Sequence, residues 1–302
     1  MPRQSTNLNE LETKNPLVQT EFKFNFETLV TRDEAVRSLM KLLPASHQPY
    51  TDKYFLRTND ILKAEGLNPI VRAQVFIRKG DVEAHGLNEA IAVIRKYSQL
   101  EEHGGTIKAL PEGSHFSSKE TLLEIEGPAQ DIVELETMYL GVLTRETSLA
   151  AGITRPQPDE VRANAEAVME AVQNRPVLYF GARHWGYEQD AEIAKAAFDG
   201  GFTGTSTDIG AEQIGAKGQG TIPHALENIM ASVYGRDFAV VEATKAFDKH
   251  IDPAVPRIAL IDYNNKEITD AIATAQALGG RLAAVRVDTC GENIAEGAIP
   301  SN

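Results

Sequence analysis

Residues 177–207 read VLYFGARHWGYEQDAEIAKAAFDGGFTGTST. VLYFGA (177–182) is a continuous apolar run, the pattern of a strand covered on both faces in a parallel sheet. YEQDAEIAKAAFDGG (187–201) is a helix closed by Gly200 and Gly201. FTGTST (202–207) is a second short strand. Strand, helix and strand without a hairpin turn predict parallel pairing through a right-handed crossover.

The same rhythm runs to the end of the chain. DIGAEQIG (208–215) reads as a short helix capped by Asp208, QGTIP (219–223) as a strand and HALENIMASVYG (224–235) as a helix. RIALID (257–262) is a strand, NKEITDAIATAQALGG (265–280) a helix and RLAAVRVD (281–288) the last strand. Five strands in βα order fit an open sheet or a barrel equally well. Upstream, a helix over 158–173 stops at Arg175-Pro176. Before about residue 150 the pattern differs. VRAQVFIRK (71–79), TIKAL (106–110) and KETLLEIEG (119–127) read as strands, the last two as partners. TNDILKAEG (58–66) and the amphipathic stretch 129–150 read as helices. The expected organisation is a polar lead-in with first helices (1–49), a small α/β layer with its connecting helix (50–150) and an α/β domain of parallel strands (151–302).

Composition narrows the function classes. The chain has 302 residues, 42% of them hydrophobic, enough for a packed core. No window of eighteen apolar residues predicts a membrane span, and MPRQSTNLNELETKNP lacks an apolar signal core. A net charge of −13 disfavours nucleic acid as a partner, because the phosphate backbone is repelled. A single cysteine, Cys290, excludes an intrachain disulfide and fits a reducing cytoplasm; it is read as a small filler. No residue set reads as a metal site.

Each apolar strand stops at polar groups: Arg183 and His184, then Ser206, Thr207 and Asp208, then His224, then Asp262 and Asn264, and finally Arg286 and Asp288. Ligands of parallel α/β folds bind at such carboxyl ends. Arg286 and Asp288 share one face of a strand whose two faces are expected to be buried, so the guanidinium needs a partner. Either an ion pair to Asp288 or Asp262 or an anionic substrate provides one, and the clustering favours the substrate. His184, Trp185 and Tyr187 read as packing or loop residues. GAEQIGAKGQG lacks the ending of a Walker loop and reads as turns. Lys245 falls in a helical region, so no strand end offers the lysine nucleophile of an aldolase.

TDKYF, IEGPAQDIVELETMYLGVLTRETSLAAGI, FGAR, GTST, GTIPHAL, RIALID and VRVDT occur in that order over about residues 50–290. They resemble the nicotinate phosphoribosyltransferases, a family of type II phosphoribosyltransferases, and its archaeal-type branch in particular. The resemblance implies a small N-terminal α/β layer packed on an irregular α/β barrel. It implies transfer of the phosphoribosyl group of phosphoribosyl pyrophosphate to nicotinate in NAD biosynthesis, with Mg2+ accompanying the pyrophosphate and ATP as a possible co-substrate. It implies a homodimer or larger assembly with a shared site, in which Tyr54 comes from a neighbouring subunit and stacks on the pyridine ring opposite Phe180. Arg183 is expected to hold the carboxylate or a nearby phosphate. His224 matches the rim histidine that some members phosphorylate, and Asp262, Arg286 and Asp288 match contacts to ribose and pyrophosphate. Ser206, where nicotinamide-using relatives carry an aspartate, favours nicotinate, with Thr207 beside it in the substrate-binding set. His184 stands where many relatives have a second arginine. The family continues past its VRVDT-like strand into glycine-rich phosphate loops, so the 302 residues are expected to be a fragment, a chain completed by a partner or a non-catalytic remnant. A quinolinate or nicotinamide enzyme is the rival; the second carboxylate of quinolinate would find only His184 and Lys217.

Overall fold

The computed structural model describes residues 26–290 and 293–299; the polar lead-in read at the N-terminus lies largely outside them. Antiparallel pairing organises the first half of the chain. α1 (Phe26–Leu42) and α2 (Lys53–Glu65) precede five strands, β1 (Ile70–Val75), β2 (Asp81–Ala84), β3 (Thr106–Ala109), β4 (Ser114–Ser117) and β5 (Leu123–Pro128). β5 lies between β1 and β3, antiparallel to both, so TIKAL does pair with the following strand. β5 begins later than expected because Lys119 turns the chain at a φ of 67°. β2 and β4 form a separate two-stranded ladder.

α3 (Leu87–Tyr97) is not among the elements expected from the sequence. Leu87, Ala90, Ile91 and Ile94 recur at helical spacing on it and enter the core with Leu123, Ile125, Met138 and Val142. The helix expected over 129–150 is interrupted. α4 (Ala129–Ile132) passes through a 3-10 turn at Val133–Leu135 into α5 (Glu136–Ala150). The cause is tertiary: the Thr51 hydroxyl donates to the Glu134 carbonyl at 3.0 Å, and the Asp52 amide donates to Thr137 Oγ1 at 3.0 Å. Both contacts hold the start of α2 against the bend.

The second half alternates helix and strand as expected, with short ladders. α6 (Pro158–Ala171) ends before Gln173 and Asn174, both at positive φ. β6 (Leu178–Tyr179), α7 (Asp190–Asp199), β7 (Gly204–Thr205), α8 (Asp208–Ala211), α9 (His224–Tyr234) and α10 (Ala239–His250) follow. β8 (Ile258–Leu260), α11 (Glu267–Leu278) and β9 (Ala284–Arg286) complete the order. β6 pairs in parallel with β7, and β8 with β9. QGTIP forms no ladder, contrary to expectation, because Gly220 takes a φ of 130° and Pro223 has no amide proton. It still bridges the two pairs. The Gln219 amide donates to the Thr205 carbonyl at 2.8 Å, and the Thr221 hydroxyl donates to the Ile258 carbonyl at 2.8 Å. The result is an arc of parallel segments, the α/β architecture expected, with β9 at its edge among the described residues. Val285 and Val287 are exposed there, so the expected burial of both faces of that strand is not found.

α2 joins the halves. Tyr54, Phe55, Ile61 and Leu62 share one core with Ile222, Leu226, Met230, Phe247 and Leu260. Among the described residues no helix is long and apolar enough to cross a membrane.

Candidate functional site

Asp52 ends the extended segment before α2, and Tyr54 lies in the first helical turn. Their side chains meet the turn after β6. Arg183 Nη1 donates to Asp52 Oδ2 at 3.0 Å and bonds the Tyr54 hydroxyl, which itself lies 3.2 Å from Asp52 Oδ2. Glu136 Oε1 is 3.6 Å from the same Nη1. The guanidinium also lies 5.7 Å from the ring centres of both Tyr54 and Phe55. Burial, and then Asp52, push the Tyr54 hydroxyl well above its usual range. Burial alone would lower the Arg183 pKa; Tyr54, Asp52 and Glu136 outweigh it and hold the charge in place. Arg183 is therefore neutralised within the chain, and an incoming carboxylate would have to compete with Asp52 for it.

Tyr54 and Phe180 face each other with ring centres 6.2 Å apart and planes 20° from parallel. Both belong to one chain, so the ring pair expected across subunits forms here without a neighbour. They line a cavity of about 290 Å³ together with Arg57, Gly220, Thr221 and Arg286. Gly220 is required: a Cβ there would sit 2.8 Å from Tyr54 Cδ1.

The strand-end acids lie next to this cavity. Arg286 donates to the Ile222 carbonyl at 2.8 Å and pairs with Asp288 Oδ2 at 3.3 Å, so the ion pair considered for it exists. Asp262 is buried and surrounded by donors. His224 Nε2 lies 3.2 Å from its Oδ1, and the Asp288 amide (3.2 Å) and Thr289 hydroxyl (3.3 Å) reach its Oδ2. His224 opens α9 and keeps its ring 41% exposed. Tyr54, Phe180 and Arg286 share the cavity; Arg183 is tied to it through Tyr54, and His224, Asp262 and Asp288 through Arg286.

Ser206 and Thr207 do not join them. Both are fully buried. The Ser206 carbonyl accepts the Lys53 amide at 2.7 Å, and its hydroxyl has no partner among the described residues. Thr207, not Asp208, caps α8 by accepting the Gly210 amide at 3.2 Å; its hydroxyl donates to Asp190. Asp208 instead pairs with Lys53 at 2.7 Å and accepts the Gly218 amide at 2.9 Å. Gly218 packs its backbone on residues 206–208, where a Cβ would meet the Thr207 carbonyl carbon at 2.8 Å, and this closes that side to ligands. The choice of nicotinate through Ser206 loses its geometric basis. Trp185 and Tyr187 are buried packing residues; His184 and Lys217 are exposed and line no part of the cavity. Lys245 is in α10, paired with Glu242.

Three groups escaped the strand-end reading because they sit on helices. Arg57 lies one turn after Tyr54 on α2. Glu227 lies one turn after His224, fully buried, with neither carboxyl oxygen hydrogen-bonded among the described residues. Burial, with Asp262 and Asp270 adding and Arg286 opposing, raises its pKa to about 9. Asp190 is raised to about 6, chiefly by burial. A charged residue interrupting the apolar face of α9 was the available signal for Glu227.

Residues 52–147, from Asp52 through most of α5, match the family model of the quinolinate phosphoribosyl transferase N-terminal domain. A nicotinate phosphoribosyltransferase of Mycobacterium tuberculosis is 25% identical over 186 residues, covering 61% of this chain and 38% of that protein. Residues 52–147 thus carry a phosphoribosyltransferase N-terminal domain, and the chain is similar to nicotinate phosphoribosyltransferases over 61% of its length. The match spans about two fifths of that curated relative's length. Two solved structures share the fold. One is a nicotinate phosphoribosyltransferase from Vibrio cholerae, 15% identical, covering 81% of this chain and 66% of that one at a TM-score of 0.58. The other, from Saccharomyces cerevisiae and described as a candidate nicotinate phosphoribosyltransferase, is 14% identical, covering 82% of this chain and 71% of that one at a TM-score of 0.60. In this chain the matched N-terminal layer contributes Asp52, Tyr54 and Arg57 to the arc of parallel strands.

Proposed function

We propose that this chain transfers the phosphoribosyl group of phosphoribosyl pyrophosphate to nicotinate, forming nicotinate mononucleotide and pyrophosphate in a cytoplasmic route to NAD. The observation that carries the reading is the near-parallel Tyr54–Phe180 pair beside a cavity that Arg286 also lines, with Asp262, Asp288 and His224 behind it. A flat ring between two aromatic side chains gains burial and a fixed orientation. At about 3.5 Å per stacked face, a third ring needs roughly 7 Å. Tyr54 and Phe180 must therefore part by about 1 Å from their 6.2 Å separation.

In the reaction the pyridine nitrogen bonds to C1 of the ribosyl group as the C1–oxygen bond breaks, and that electron pair leaves on pyrophosphate. Positive charge builds on the ribose and negative charge on the leaving group, so positioning and electrostatics carry the catalysis. Arg286 meets the oxyanion and Asp288 lies beside it. Asp262, with three donors on it, orients His224 and the 287–289 turn. Mg2+ supplies charge neutralisation to the pyrophosphate when bound. Asp288, 56% exposed beside Arg286, would be the carboxylate to share it, and a magnesium ion held mainly by substrate oxygens needs only one or two protein carboxylates. If ATP is coupled, His224 is the residue for it, because Asp262 holds Nε2 and leaves Nδ1 available.

The test is release of pyrophosphate from phosphoribosyl pyrophosphate with nicotinate, nicotinamide or quinolinate, with and without Mg2+ and ATP. Turnover with nicotinate is expected; preference for either other base refutes the substrate. One observation favours a second reading, binding without turnover or completion by a partner chain: β9 is an edge strand and Arg286 is a third exposed, so the described residues leave the phosphate side open. Nicotinate binding without pyrophosphate release would support it.

A further inference from the structure

We propose that Arg57 reads the negative charge of the aromatic substrate, binding a carboxylate carried on the planar ring that enters between Tyr54 and Phe180. This rests on the pyridine-binding reading above and assigns its specificity. Arg57 and Tyr54 are three residues apart on α2, so their side chains lie on one helix face. Both line the 290 Å³ cavity. Arg57 Nη1 donates to the Gly220 carbonyl, at the glycine against which the Tyr54 ring packs.

The ionic surroundings set it apart from Arg286, the other arginine of the cavity wall. Arg183 has Asp52, Arg145 has Glu89 and Glu188, Arg257 has Asp248 and Arg286 has Asp288 within ion-pair distance. Among the described residues, Arg57 has a carbonyl and no carboxylate at that distance. Burial lowers its pKa, opposed only by the more distant charge of Asp208. A half-buried guanidinium without a counter-charge is costly, and an anionic ligand removes that cost. The cavity wall carries two arginines and no Asp or Glu, in a chain of net charge −13. Arg286 reaches it from the strand-end side, beside Asp288, whereas Arg57 reaches it from the helix that carries Tyr54. A ring stacked on Tyr54 would present its substituent to Arg57, and a guanidinium fork matches a carboxylate.

The experiment is calorimetric titration of the full chain with nicotinate, nicotinamide, benzoate and pyrophosphate, for wild type, Arg57→Gln and Arg57→Lys, after thermal melts establish that each variant folds. Wild type should bind nicotinate more tightly than nicotinamide. Arg57→Gln should weaken nicotinate and benzoate by about 10- to 100-fold, the loss of a charge-assisted contact, and leave nicotinamide and pyrophosphate unchanged. Arg57→Lys, which keeps the charge and most of the stem, should recover part of the loss. Equal binding of nicotinate by wild type and Arg57→Gln overturns the assignment. So does an equal loss of acid and amide, which marks a structural role, or a loss confined to pyrophosphate, which marks a phosphate contact. The two readings fail separately. Wild type that binds benzoate through Arg57 but not nicotinate refutes the pyridine substrate and keeps the charge reader; wild type that binds no aromatic acid refutes both.

Discussion

Glu227→Gln tests the electrostatics behind the strand ends. Glu227 is fully buried, neither of its oxygens is hydrogen-bonded among the described residues, and its pKa is raised to about 9 by burial and by Asp262 and Asp270, against the pull of Arg286. An unfolded glutamate titrates near 4.5. Between these values the folded chain holds a proton that the unfolded chain has lost, so stability falls as pH rises through that window. At pH 7 the span above 4.5 is about 2.5 units, and at about 1.36 kcal/mol per unit the cost is roughly 3 kcal/mol. At pH 8 it approaches about 5 kcal/mol, and at pH 5 it is below about 1 kcal/mol. Glutamine has nearly the same shape and no charge to gain. The variant should match wild type at pH 5 and unfold at distinctly higher urea at pH 8, read by fluorescence of the single tryptophan, Trp185. Asp190 titrates in both proteins and cancels from the comparison. Parallel pH dependence of the two midpoints would mean that Glu227 is not a buried neutral acid, and the reasoning would fail.

Three further outcomes are expected. Gly220→Ala forces a φ of 130° on a residue with a Cβ and places that carbon 2.8 Å from Tyr54; about 1–3 kcal/mol of strain should lower the melting temperature by several degrees and weaken aromatic ligands in calorimetry. Asp190, raised from 3.8 to about 6, loses stability as pH rises through that window; Asp190→Asn should gain about 3 kcal/mol at pH 7 and nothing near pH 3, measured by urea unfolding. Arg183→Met leaves Asp52 buried without its cation and should cost about 3 kcal/mol, and the Asp52→Asn/Arg183→Met double variant should cost less than the single; additive losses in that cycle would show that the pair is uncoupled.

Regular periodicity explains what the sequence discloses. The helix starting at Pro158, the parallel order of the apolar runs and the pairing of TIKAL with the following strand all follow from local pattern. Of the strand-end groups Arg286 does line a cavity, because a parallel strand places its polar terminus at the ligand face; Tyr54 and Phe180, which line it too, are indicated by the family resemblance alone. Ser206 and Thr207 are different. Alternation says which two faces a strand has, not which is open, and that is decided by Gly218, eleven or more residues away, folding its backbone onto theirs. The interruption of the 129–150 helix likewise depends on Thr51, far off in sequence, drawing on the Glu134 carbonyl. Arg57 and Glu227 look like ordinary helix-surface charges until the packing of α2 and α9 against the strands turns them inward.

That packing also explains how a chain with 43 acidic and 30 basic residues can offer a site to an anion. Net charge governs long-range steering, but inside a partly enclosed cavity the field is set by the few groups that are charged and not screened. Asp52 is cancelled by Arg183, Asp208 by Lys53 and Asp288 by Arg286. Glu227, the most deeply buried carboxyl nearby, keeps its proton at neutral pH, so it adds no negative charge behind Arg286. What remains uncancelled at the cavity wall is Arg57, and its position one helical turn from Tyr54 makes ring stacking and charge recognition properties of the same helix, α2. Any displacement of α2 relative to the strands must therefore weaken both at once, which couples the N-terminal layer to substrate choice as well as to folding.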